Sequence, residues 1–144
     1  APENAGFAVV LGTTVAVLAL AADSMLSRLA PGKMKDESGI DEKLFAGRPL
    51  WHVALICLVV AVSEELLFRG ALQPLIGNYW TSVLFAAIHF RYLRHWLPTL
   101  TVFAVSFALG WAFARTGTLV TPVTAHFLID IVNGYMLWRK STHG

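Results

Sequence analysis

The stretch Ser63-Glu64-Glu65-Leu66-Leu67-Phe68-Arg69-Gly70 sets three charges into the second half of a long apolar run. Residues 51–62 hold no charged side chain and one histidine, His52, so the acids arrive after about three helical turns of sequence that suits hydrocarbon. Charge in such a place is rare and marks a site. Successive helical residues point about 100° apart, so Glu64 and Glu65 face differently, whereas Glu65 and Arg69, at i and i+4, can meet as an ion pair. One carboxylate is then held by Arg69, and Glu64 is left free. The alternative is that the charges only fix helix packing or mark a membrane boundary.

Other buried polar groups come from two further apolar segments. His89 follows Phe85 by four, which puts the ring one turn away as a wall. His126 and Asp130 share a helical face by the same spacing, with Asn133 close to it. Counted at 1.5 Å per residue from the outer helix ends, His89 and His126 lie roughly 12 to 15 Å deep and Glu64 roughly 10 Å, so one site can gather them. Two histidines and two acids on three helices suit water activation, oxyanion stabilisation and protonation of a leaving amine. The same residues allow a metal-dependent version, with Glu64, His89 and His126 binding Zn²⁺ and a water in the open position. Taken singly, His126 and Asp130 are equally a hydrogen-bonded pair that stabilises its helix. His95 sits in a basic loop with Arg91 and Arg94, and His52 and His143 are also discounted. No glycine-rich phosphate loop, Gly-x-Ser-x-Gly elbow or HExxH helix occurs.

The elements that must position these groups are apolar helices. Helix 1 is predicted over residues 6–22, with Asp23, Ser24 and Arg28 bringing it toward an interface. Residues 31–49 interleave Lys33, Lys35, Asp36, Glu37, Asp41, Glu42 and Lys43 and predict a solvated loop with room for a short interfacial helix. Helix 2 is predicted over 50–72, ended by Pro74 and Gly77. Helix 3 runs from Tyr79 and Trp80 to Phe90, helix 4 from Leu97 and Pro98 to Ala114, and helix 5 over 119–138 after the break at Arg115-Thr116-Gly117. In helix 4, Ser106, Gly110 and Ala114 form a small-residue stripe that permits close helix contact. Trp51, Tyr79, Trp80, Trp96 and Trp138 fall near helix ends, where aromatic side chains anchor at headgroup level.

Composition agrees. The 144 residues are 56% hydrophobic and 14% charged, and the mean hydropathy is +0.62. These values are those of a membrane protein and not of an average soluble domain. The predicted fold is all-α, a polytopic bundle of about five transmembrane helices, with residues 1–144 as one membrane-embedded domain. The net charge of +2 comes from basic residues between the apolar runs and not from a nucleic-acid-binding stripe. Arg28, Lys33, Lys35, Lys43, Arg48, Arg91, Arg94, Arg139 and Lys140 fall on one side and Arg115 on the other, which makes the first side cytoplasmic. The single cysteine, Cys57, excludes an intrachain disulfide. Without an initiator Met, the sequence is expected to be a processed or trimmed form, and its first apolar run lacks the basic lead of a signal peptide.

Glu64-Glu65-x-x-x-Arg69, Phe85-x-x-x-His89 and His126-x-x-x-Asp130 resemble, in order, the three motifs of the CAAX-protease and bacteriocin-processing (CPBP, or Abi) family of intramembrane endopeptidases. The resemblance covers residues 50–138, the expected catalytic core, and includes Arg115-Thr116-Gly117 before Pro122. It implies that Glu64 with His89 polarises water, that His126 with Asp130 stabilises the oxyanion, and that Glu65 and Arg69 hold helix 2 in register. The family's third motif usually ends in Asn; here Asp130 stands there, so a protonated Asp130 or nearby Asn133 would have to supply the neutral donor. The implied partners are a peptide or protein substrate and the lipid bilayer, the implied location a multi-pass place in the cell membrane, and the implied route free of metal. The rival functions are a membrane scaffold or immunity factor of the same fold and, last, an ion conduit, which would carry polar residues along a whole helix. A prenyl-protein protease opens to the cytoplasm, whereas helix-end counting sets this cluster nearer the outer half. Either the orientation is reversed or the substrate is a membrane or exported peptide.

Overall fold

A computed structural model describes residues 4–34, 40–89 and 93–144, with the backbone alone at 40–42. Lys35, Asp36, Glu37 and Arg91, the side chains of Asp41 and Glu42, and the expected end of helix 3 at Phe90 lie outside what is described.

The fold is all-α. Helix α1, Ala5–Leu29, begins where the Asn4 side chain accepts a hydrogen bond from the Gly6 N–H, and ends with Arg28 in its last turn, ahead of Pro31. The short helix α2, Ile40–Phe45, occupies the loop that follows. Extended Pro49 then launches α3, Leu50–Glu65. The helix does not continue regularly to residue 72 as the periodicity predicts. Residues Leu66–Leu72 form a π-helical segment, with the Gln73 N–H bonding back five residues to the Phe68 carbonyl. Such widened turns recur at functional sites. Here the widening lets two consecutive residues, Phe68 and Arg69, both be buried.

Helix α4, Gln73–Ile88, follows without a gap but is bent at Gly77, whose φ of 81° is a left-handed value. The chain thus breaks at Gly77 and not at Pro74, which sits in the first turn of α4, where a missing N–H is tolerated. Helix α5, Trp96–Thr116, is closed by Gly117 at φ 66°. Helix α6, Val120–His143, runs through the centre and packs against α1, α2, α3 and α5, while α4 packs on α5 and the π segment.

Polar side chains are buried beside an apolar core while many large apolar side chains are exposed, unlike a water-soluble domain. Glu65, Arg69, Thr81, Ser82, Ser106, Thr121 and His126 are buried, whereas Val10, Val17, Leu18, Leu55, Val59, Leu66, Leu67, Leu75, Ile88 and Leu100 are exposed. Three helical stretches, Ala5–Leu29, Leu50–Ile88 and Trp96–Thr116, are long and apolar enough to cross a membrane. The second spans 39 residues and contains the bend at Gly77. Helix α6 is comparably long but carries His126, Asp130, Asn133, Arg139 and Lys140. The chain is a helical membrane bundle.

Small residues set the closest approaches. Ser106 and Gly110 are buried against the π segment and α4, where a Cβ on Gly110 would collide with Asn78 Oδ1 and come within 2.6 Å of Gln73 Oε1. Ala114 is exposed and does not extend this stripe, because the facing helix bends at Gly77, level with Gly110. On the far side, a Cβ on Gly12 would lie 2.5 Å from the Thr121 carbonyl oxygen, so α1 and α6 touch backbone to side-chain position there. One end of the bundle collects basic loops and tryptophans: Lys33 stands 6.0 Å over the Trp96 ring, and the Trp138 indole donates to the Arg48 carbonyl at 2.8 Å.

The contact at Gly12 predicts that Gly12→Ala lowers the melting temperature of the purified protein in detergent. Overpacking against an immovable carbonyl costs about 1–3 kcal/mol, which exceeds the roughly 1 kcal/mol that alanine gains over glycine in a helix. Gly32→Ala, with nothing near its Cβ, is the matched control and should leave the melting temperature where it is.

Candidate active site

Two acids end α3 and diverge as their spacing requires. Glu65 is fully buried and lies 3.2 Å from Arg69 Nη1, one turn into the π segment. Arg69, also fully buried, reaches with Nη2 to the Ser106 carbonyl at 2.5 Å and the Ser106 hydroxyl at 2.6 Å on α5. Ser82 Oγ on α4 lies 3.3 Å from that hydroxyl. The Phe85 ring, 5.0 Å from the guanidinium, packs edge-on to Phe68 and covers the cation.

Glu65 makes a second contact that the sequence does not announce. Its Oε1 lies 2.7 Å from His126 Nδ1 on α6. The carboxylate, held by Arg69, accepts the Nδ1–H, and this bond turns Nε2 toward the cavity. Nε2 then stands 3.6 Å from Glu64 Oε2 and 3.3 Å from Asp130 Oδ2. With Nδ1 as donor, a neutral imidazole would set a lone pair against two carboxylates. These contacts are attractive only when one proton resides on Nε2 or on a facing carboxyl. The cluster therefore holds a proton that can be shared among Glu64, His126 and Asp130.

His89 ends α4, and its Nδ1 lies 2.6 Å from the Phe85 carbonyl, to which it donates. The lone pair of the neutral ring is then on Nε2. Phe85 lies between the two histidines, with its ring centre 4.6 Å from that of His89 and 6.1 Å from that of His126. Glu64, Phe85, His89, His126, Asp130 and Asn133 line one cavity of about 700 Å³. Glu64 Oε2 has no hydrogen-bond partner among the described residues. The cavity continues between α1, α3, α5 and α6 to Met34 and Lys140 at the basic end of the bundle.

The structure thus brings Glu64, His89, His126, Asp130 and Asn133 to one cavity and places Glu65 and Arg69 behind it, with Phe85 at its wall. Among the described residues, no three His, Cys, Asp or Glu side chains are grouped as a metal ion would require. Glu64, His89 and His126 all line the cavity, and the Nδ1–H of His126, bonded to Glu65, leaves its Nε2 facing it. The sequence does not announce Ser106 as the partner of Arg69, or Ser82 as the partner of Ser106. The one available signal was polar residues inside otherwise apolar helices.

This geometry defines a helical membrane protein with a buried carboxylate–imidazole cluster at an internal cavity. A family model described as type II CAAX prenyl endopeptidase Rce1-like matches residues 46–132. The chain belongs to that family, and all three motifs of the resemblance lie inside the match. It is 44% identical over 121 residues to the uncharacterized protein YpbD of Bacillus subtilis strain 168, across 84% of this chain and 64% of YpbD. It is 28% identical over 85 residues to the UPF0177 protein YxdF of Lactococcus lactis, across 56% of this chain and 46% of YxdF. The chain thus spans under two thirds of the first relative and under half of the second. No solved structure matches it.

The buried pair predicts a steep cost for losing its cation. Arg69→Met leaves the Glu65 carboxylate buried without a countercharge and should cost about 3–5 kcal/mol. Ser106→Ala keeps the carbonyl acceptor and should cost about 1 kcal/mol. Thermal unfolding of the two variants in the same detergent checks the order.

Proposed function

We propose that the chain is an intramembrane endopeptidase that hydrolyses a peptide bond in a membrane-associated or exported substrate. The observation that carries this reading is Glu64. It is an acid on an apolar helix, with one oxygen lacking a hydrogen-bond partner, at the wall of a cavity it shares with two histidines and a second carboxylate. A protein that used these charges only for packing would have no need of an acid that faces a cavity there.

In this reading Glu64, helped by the Nε2 lone pair of His89, takes a proton from water as the oxygen attacks the scissile carbonyl. His126 Nε2 and a protonated Asp130 stabilise the oxyanion, with Asn133 as a further donor within the cavity. The proton gained by Glu64 goes to the leaving amine. Glu65 and Arg69 touch no substrate; they fix the direction of His126. Residues 50–138 form the catalytic core. The route requires no metal; a zinc route through Glu64, His89 and His126 is its competitor, and chelation separates the two.

We further place the bundle across the cell membrane five times, the stretch bent at Gly77 counting as two crossings and α6 as the fifth, with the basic end in the cytoplasm. The cavity leads from the acids toward that end. This supports entry from the cytoplasmic half and eases the conflict between helix-end counting and a cytoplasm-facing site.

The test compares membrane and secreted peptides of cells expressing the wild-type chain and Glu64→Gln at matched protein levels. Precursor should accumulate with Glu64→Gln, with turnover reduced by at least ~10²-fold, since a general base alone contributes about 10²–10⁴-fold. Membranes washed with a chelator should retain cleavage. Identical peptide profiles, altered only by deletion of the protein, would establish a scaffold or immunity role instead.

A further inference from the structure

Asp23 is the one acid on α1, a helix outside the residues that match the family model. It lies about five turns along an apolar helix, with exposed Ala21, Ala22, Ser24 and Met25 around it, yet it is itself half-buried. The carboxylate faces inward, lining the main cavity with Glu64, His126 and Asp130 and a smaller one beside Asn133. No hydrogen bond or ion pair holds it among the described residues. An unpaired carboxylate at membrane depth that looks into a cavity is placed to receive a cation from what enters.

Its distance from the reacting groups follows from helix register. Gly12 of α1 is level with Thr121 of α6, and the two helices run in the same direction, since Leu20 to Arg28 lie along Val132 to Met136. Asp23 is eleven residues past Gly12 and His126 five past Thr121, so Asp23 sits roughly 9 Å nearer the basic end. An extended peptide advances about 3.3 Å per residue, so that distance corresponds to about three residues. Lys140, a cation that lines the same cavity, is nineteen residues past Thr121 and so, in this register, lies roughly 12 Å beyond Asp23.

Resting on the endopeptidase reading above, we propose that Asp23 binds a lysine or arginine side chain of the substrate about three residues from the scissile bond. Asp23 is then a specificity residue that α1 adds to the motif-bearing core.

The test uses the purified chain in phosphatidylcholine vesicles with synthetic 20-residue Leu/Ala peptides. Each carries one Lys, norleucine or Glu at a scanned position. Wild type should cleave peptides with Lys two to four residues from the cut at least ~10-fold more efficiently than their norleucine counterparts, a factor worth one ion pair of about 1.4 kcal/mol. The ratio should fall to near one in Asp23→Asn, persist in Asp23→Glu, and turn in favour of Glu in Asp23→Lys. Equal cleavage of Lys and norleucine peptides by wild type, or a preference that survives in Asp23→Asn, would overturn the proposal. Binding of dye-labelled peptides to Glu64→Gln separates this failure from that of the endopeptidase reading. If wild type cuts none of the peptides but Glu64→Gln binds the Lys series in an Asp23-dependent way, cation recognition stands and proteolysis falls. Equal binding of both series overturns the recognition itself.

Discussion

Glu65 and Arg69 form the contact on which the rest of the site depends. Each is fully buried in a bundle whose outer surface is hydrocarbon-like, so neither charge is tolerable without the other. The pair also joins helices: Arg69 reaches α5 through Ser106, and Glu65 reaches α6 through His126. One ion pair therefore fixes three elements against each other and sets which nitrogen of His126 meets the cavity. The π-helical segment carries Phe68 and Arg69, both buried, and Phe68 packs edge-on against Phe85 of α4, whose ring covers the guanidinium.

Function in this account comes from an asymmetry between neighbouring acids. Glu65 is fully buried and bound through Oε1 to both Arg69 and His126, whereas Glu64, one residue earlier and turned by about 100°, lines the cavity and meets His126 at the longer distance of 3.6 Å. The first carboxylate is structural because a guanidinium matches its charge behind the cavity; the second is available because it faces the cavity. Asp130 and Glu64 share the Nε2 face of His126, so protons held on Nε2 and Asp130 leave Glu64 ionised beside them, free to accept one from water.

Much of this was legible in the sequence. Spacing alone gave the Glu65–Arg69 pair, the shared face of His126 and Asp130, and five apolar stretches whose ends fall near the observed helix ends, because 3.6-residue periodicity and hydrocarbon length are strong local constraints. The three motifs also identified the family, which the match over residues 46–132 bears out. The bond from Glu65 to His126 was not legible, since it joins residues 61 positions apart and depends on how α3 and α6 dock. The π segment was also hidden: Gly70 is the one breaker in Leu66 to Leu72, and an isolated glycine does not announce a widened turn. Ala114 shows the converse error, a regular small-residue stripe that continues in sequence past the point where its partner helix bends away.

The most direct measurement sets melting temperature beside peptide cleavage for Glu64→Gln and Glu65→Gln in the same membrane preparation. The account predicts that Glu64→Gln keeps the wild-type melting temperature and loses cleavage, while Glu65→Gln melts well below wild type because Arg69 loses its countercharge. If Glu64→Gln is destabilised as much as Glu65→Gln, or still cleaves at the wild-type rate, the division between a structural and a reactive acid is wrong.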